Sequence, residues 1–173
     1  MLRVLFAALI ALSVATPAAA ENRYYAYDPA DRLTRSLTGG LTFEVERGLF
    51  GGQRIVRLYT TAAGGSTPLQ VGGPDAVRRS LPEGAEENAV YAIPVEGDGR
   101  GLIRALCPGA DEAWLVFGRL RPARPLTAHA VGRWIDGTFR SCASLNWSFR
   151  GEWSRLPPGT ASGSDVTAVP TRQ

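Results

Sequence analysis

The chain has 173 residues, and its 19 basic side chains, all arginine, stand against 16 acidic ones with a single histidine and two cysteines. Without a lysine there is no Walker A phosphate loop, no Schiff-base enzyme and no Ser-Lys dyad, and one histidine with two cysteines is too few ligands for a zinc site. The formal net charge of +3 is too small and too scattered to mark a nucleic-acid footprint, which needs one coherent basic stripe; no cofactor is expected either.

The first twenty residues read as a signal peptide. Arg3 is the positive n-region, "VLFAALIALSVA" is an apolar run too short to span a bilayer, and Ala18 to Ala20 are the small residues a signal peptidase needs. Nothing downstream is apolar for long enough to be a membrane segment. The expectation is an exported chain, periplasmic or secreted, with one β-rich domain over residues 21–156 and a disordered tail over 157–173, where "PPGTASGSDVTAVPTRQ" holds little apolar mass. In that compartment Cys107 and Cys142 have one possible pairing, and a disulfide is predicted between them. The Cys-x-x-Cys spacing of a thiol-redox enzyme is absent.

After an aromatic cluster at Tyr24, Tyr25 and Tyr27, a short helix is predicted over 29–38. Asp28 would cap it, Pro29 would take its first position, Gly39 and Gly40 would end it, and Ala30, Leu33 and Leu37 would form its apolar face. The period then changes to two. "LTFEVER" alternates Leu41, Phe43 and Val45 against Thr42, Glu44 and Glu46, and with "RIVRLYT" predicts a hairpin across "GLFGG".

Residues 61–88, rich in Gly, Pro and small side chains, read as a long loop with at most one helical turn near Asp75. A second hairpin is predicted from "AVYAIPV" and "GLIRAL" around the tip "EGDGR", with Pro94 placing its strand at an edge or a bulge. "AWLVFG" reads as a buried strand, "LTAHAVG" as a weaker one and "RWIDGTFRS" as a bend.

"SLNWSFRGEW", residues 144 to 153, alternates without a break. As a strand it sends Leu145, Trp147, Phe149, Gly151 and Trp153 to one face and Asn146, Ser148, Arg150 and Glu152 to the other. Such an aromatic face belongs in a core rather than in water, because an open aromatic strip is an aggregation hazard. The fold class that follows is mainly β, an antiparallel sandwich or partly closed barrel of about six to eight strands with one short N-terminal helix.

Function is read from weaker signals. His129 would need a nucleophile and an orienting carboxylate; Ser141, Ser144 or Ser148 and Asp136 are the candidates, and no Gly-x-Ser-x-Gly elbow selects among them. Glu44 and Glu46 share a strand face and are the carboxylate pair to test for glycosidase chemistry. Arg119, Arg121 and Arg124 in "RLRPARP" offer guanidinium groups for an anion, and Tyr24, Tyr25 and Tyr27 offer an aromatic binding surface. The first expectation is a non-catalytic exported module that binds a ligand, a protein or an envelope polymer. The alternative is an extracytoplasmic hydrolase of glycan or ester bonds using His129 or the Glu44/Glu46 pair.

Overall fold

The computed structural model describes residues 21–48, 52–62 and 65–157, so the expected leader and the tail beyond Pro157 lie outside the described residues. Strands β1 (Glu21–Pro29), β2 (Leu41–Arg47), β3 (Gln53–Thr60), β4 (Gly65–Pro68), β5 (Gln70–Val71), β6 (Ala89–Ile93), β7 (Glu112–Phe117), β8 (Leu126–Arg133) and β9 (Phe139–Trp153) form one antiparallel sheet in the order β4-β3-β2-β1-β9-β8-β7-β6-β5. Leu69 alone separates β4 from β5. One continuous segment therefore pairs with β3 through its first half and with β6 through its second, and Leu69 N–H donates to Val56 O at 3.2 Å. The chain passes from one sheet edge to the other, and the sheet is a nearly closed barrel rather than a sandwich.

A barrel of about this strand number has an interior that side chains can fill. Tyr25, Tyr27, Phe43, Leu58, Phe117, Leu145 and Trp147 do so, none more than 2% exposed. The alternation of β2 supplies Leu41, Phe43 and Val45, and that of β9 supplies Leu145 and Trp147. The run "AWLVF" is buried on both faces: Ala113, Leu115 and Phe117 join the interior, while Trp114 and Val116 pack outside with Val90, Val131 and Val77. Val77 belongs to α2 (Asp75–Arg79), which lies on this outer face.

Helices α1 (Arg32–Thr38) and α3 (Asp98–Leu106) pack at the end of the barrel where β1 and β6 finish. Leu102, Ile103 and Leu106 of α3 enter the barrel core. Cys107, at the C-terminal end of α3, is disulfide-bonded to Cys142 of β9, with Cα atoms 5.2 Å apart. The covalent bridge ties α3 to the barrel wall.

Several sequence expectations are corrected. Asp28 and Pro29 continue β1, opposite Ser148 and Trp147, so the helix starts later and Asp31 caps it by accepting from Thr34 N–H at 2.8 Å. That rotates the buried face. Leu33 is 50% exposed, and Thr34 and Thr38 are buried instead. They dock by hydroxyls: Thr34 Oγ1 accepts from Asn146 N–H at 2.9 Å and Thr38 Oγ1 from Trp147 Nε1–H at 3.3 Å. Gly39 ends the helix as expected, at φ 65°.

The residues "GLIRAL" are helical, not a strand. Alternation would have put Arg104 on the same side as Leu102 and Leu106, whereas a helix gathers Leu102, Ile103 and Leu106 and leaves Arg104 exposed. The partner of β6 in the hairpin is β7. Pro94 follows the strand, and β6 is flanked on both sides. Within the expected loop 61–88, residues 65–71 are the strand segment that nearly closes the barrel. Gly65, Thr67 and Leu69 are buried at period two, a signal hidden by its Gly and Pro content. The helical turn near Asp75 is present.

The 144–153 strand is real but its alternation breaks. The register with β1 shifts between Ala26 and Tyr27, which face Gly151 and Phe149, so Arg150 is an extra residue. Beyond that bulge the faces exchange. Trp153 turns outward beside Tyr24, its ring over Gly151, and Glu152 turns inward opposite Tyr25.

Candidate functional site

The bulge builds a polar rim at the barrel end opposite α1 and α3. Glu152 Oε1 lies 3.2 Å from Arg47 Nη2 and 3.8 Å from Arg23 Nε. The Tyr25 hydroxyl accepts from Arg47 Nη2 at 2.6 Å and from Gln53 Nε2 at 3.3 Å. At the same end the first residues of β3 and β6 and the connection after β7 enclose a cavity of about 330 Å³. Ile55, Tyr91 and Leu120 line it with apolar surface, and Gln53, Asn88 and Arg119 supply polar groups. The Tyr91 ring is stacked on Phe117, with centroids 4.5 Å apart and planes 7° apart, so it is a rigid wall. Burial raises the Tyr91 phenol above its ordinary value. Arg119 is exposed and forms no ion pair among the described residues. The mouth of a β-barrel is a common place for a small-molecule site.

A second constellation lies on the barrel wall. His129 and Ser144 are direct partners across β8 and β9, and His129 Nδ1 is 2.9 Å from Ser144 Oγ. Its Nε2 is 2.9 Å from Glu87 Oε2, with 8% and 19% of the two side chains exposed. A carboxylate can only accept, so Nε2 carries a proton in this contact; in the neutral imidazole Nδ1 then faces the serine hydroxyl as an acceptor. Ser144 is exposed, and on the other side of the ring residues 82–87 with Thr127 and His129 line an open surface depression of about 340 Å³.

Placement of the other sequence candidates is uneven. Glu44 and Glu46 face outward with partners: Glu44 accepts from Asn22 Nδ2 at 2.9 Å, Tyr59 Oη at 3.0 Å and Tyr24 Oη at 3.4 Å, and Glu46 Oε2 receives Arg54 Nη2 at 2.7 Å. Burial first, then the Glu44 charge, raises the Tyr24 phenol; at Tyr59 burial leads and the hydrogen bond to Glu44 follows. The tyrosine cluster is split by strand alternation. Tyr25 and Tyr27 are in the core and offer no open surface, while Tyr24 faces out beside Tyr59, 6.4 Å between centroids. Of the three arginines only Arg119 reaches the mouth cavity; Arg121 and Arg124 are exposed on the connection between β7 and β8.

Asp136 does not orient His129. It caps its own turn, accepting from Thr138 Oγ1 at 2.7 Å and N–H at 2.9 Å, and is 3.4 Å from Arg140 Nη2. These hydrogen bonds hold the Asp136 carboxyl below the usual carboxylate range. The carboxylate that meets His129 is Glu87, within an acidic run whose composition suggests only a solvated loop; nothing in the local sequence marks a partner 42 residues away. The inward position of Glu152 was likewise hidden by the bulge. Compared with family models, with curated proteins and with solved structures, the chain matches none.

Proposed function

We propose that the protein is an exported binding module whose ligand occupies the barrel mouth. One observation carries this reading: a cavity of about 330 Å³ with a mixed apolar and polar lining opens beside the exposed Arg119, which pairs with no carboxylate among the described residues. Ile55, Leu120 and the Tyr91 ring suit a small planar or acyl group, and Arg119 with Gln53 and Asn88 suits a carboxylate attached to it. The cavity is at the small end of ligand sites, so the fitting partner is a small amphipathic acid rather than a long stretch of polymer. Export is supported by the leader-like residues 1–20 and by the Cys107–Cys142 disulfide, a bond that persists in oxidising compartments. Periplasm or the extracellular space is the proposed location.

A fluorescence titration of purified protein with 2-naphthoate tests the proposal. Saturable binding is expected, with at least a tenfold loss in Arg119→Glu, because the substitution sets like charges together. Binding that is unaltered in Arg119→Glu, or absent at millimolar 2-naphthoate and dodecanoate alike, would refute the site.

A further inference from the structure

We infer that Ser144, His129 and Glu87 form a second site, on the barrel wall, that transfers short acyl groups from esters to water. The two distances of 2.9 Å chain Ser144 Oγ to His129 Nδ1 and His129 Nε2 to Glu87 Oε2, which is the order nucleophile, base, orienting carboxylate. The roles of the two ring nitrogens are exchanged relative to the usual serine hydrolase, where the nucleophile sits at Nε2; either nitrogen is a competent base when the other holds the proton. His129 is buried, with Glu87 and the shallow depression lined by residues 82–87 on its Nε2 side, and Ser144 lies exposed on its Nδ1 side. A buried base adjoining an accessible hydroxyl is what nucleophilic catalysis requires. A surface hydrogen bond that only ties a loop down needs no serine at its open end.

Water is the one co-substrate of the reaction. Ser144 Oγ attacks the ester carbonyl carbon while its proton passes to His129 Nδ1; the C–O bond to the alcohol breaks and that oxygen takes the proton. Water then attacks the acyl-serine, gives its proton to Nδ1, and the carboxylic acid leaves as Ser144 Oγ is reprotonated. Glu87 touches no reacting atom and acts as a positioning residue, fixing the tautomer and balancing the imidazolium that forms. Glu83, Glu86 and Glu87 all line the cavity. That field disfavours acyl groups carrying a second carboxylate and selects a short neutral acyl group such as acetyl, on an uncharged alcohol or sugar hydroxyl.

The test uses the exported chain with a fluorophosphonate, which captures an activated serine by losing fluoride, and with p-nitrophenyl acetate. Labelling is expected on the peptide containing Ser144, with loss of both labelling and turnover in Ser144→Ala, an exposed substitution that leaves the fold intact. Ser148→Ala, two repeats of the pleat further along the same face and away from His129, keeps both. Glu87→Gln is expected to lower kcat by about 100-fold or more with KM little changed. Wild-type protein that labels and turns over no faster than Ser144→Ala would overturn the inference, and so would labelling that survives in Ser144→Ala. Neither result bears on naphthoate binding at the mouth.

Discussion

Replacing Trp147 by alanine probes how the barrel is filled. The indole is 2% exposed, packs in the interior, and donates from Nε1 to Thr38 Oγ1 at 3.3 Å, so it joins the wall to α1. Truncating a buried tryptophan removes its transfer energy and leaves a hole, a cost of about 3–5 kcal/mol. The lost hydrogen bond adds little, because Thr38 Oγ1 still donates to Thr34 O at 2.9 Å and nothing is stranded. For a chain of this size each kcal/mol moves the midpoint by roughly 2–4 °C, so Trp147→Ala is expected to melt roughly 6–20 °C lower by circular dichroism. Trp147→Phe, which keeps most of the volume, should lose less than half of that. A melting curve unchanged in Trp147→Ala would place the ring outside the core and refute the assignment of β9.

Two further outcomes follow from the same packing. Cys107→Ser, or reductant on the wild type, should destabilise the protein by about 3–4 kcal/mol in the chain-entropy model, since the bridge closes a loop with a sequence separation of 35; equal denaturant midpoints with and without reductant would contradict it. Raising the pH should unfold the protein, because burial lifts the phenols of Tyr24, Tyr27, Tyr59 and Tyr91. Their contribution is fully present below the ordinary phenol value of 10.0 and is lost as pH rises through the higher folded values. Phenolate absorbance near 295 nm should therefore appear together with loss of circular dichroism, and titration of these groups in a still-folded protein would refute that coupling.

Much of the wall was legible because a half-buried strand writes its period into the chain, as "LTFEVER" and Leu145–Trp147–Phe149 do. What stayed hidden depended on single residues that change a face. Arg150 as a bulge turned Trp153 out and Glu152 in, and no composition rule marks a bulge in an unbroken alternation. The barrel closure was hidden because 65–71 is a strand made of turn-forming residues, held by pairing on both sides rather than by propensity. At the wall site, His129 and the serine candidates were visible in the sequence, but cross-strand register chose Ser144, and only the fold brought Glu87 to the other ring nitrogen. Arg119 was one of three arginines, separated from its neighbours by the bend that carries Arg121 and Arg124 away.

Locating a bound probe tests the mouth directly. Intermolecular NOEs between dodecanoate and the labelled protein should run from its methylenes to Ile55, Tyr91 and Leu120, with the carboxylate end near Arg119. NOEs confined to the outer rings of Tyr24, Tyr59 and Trp153, with none to Tyr91 or Leu120, would contradict it and move ligand recognition to the outside of the barrel.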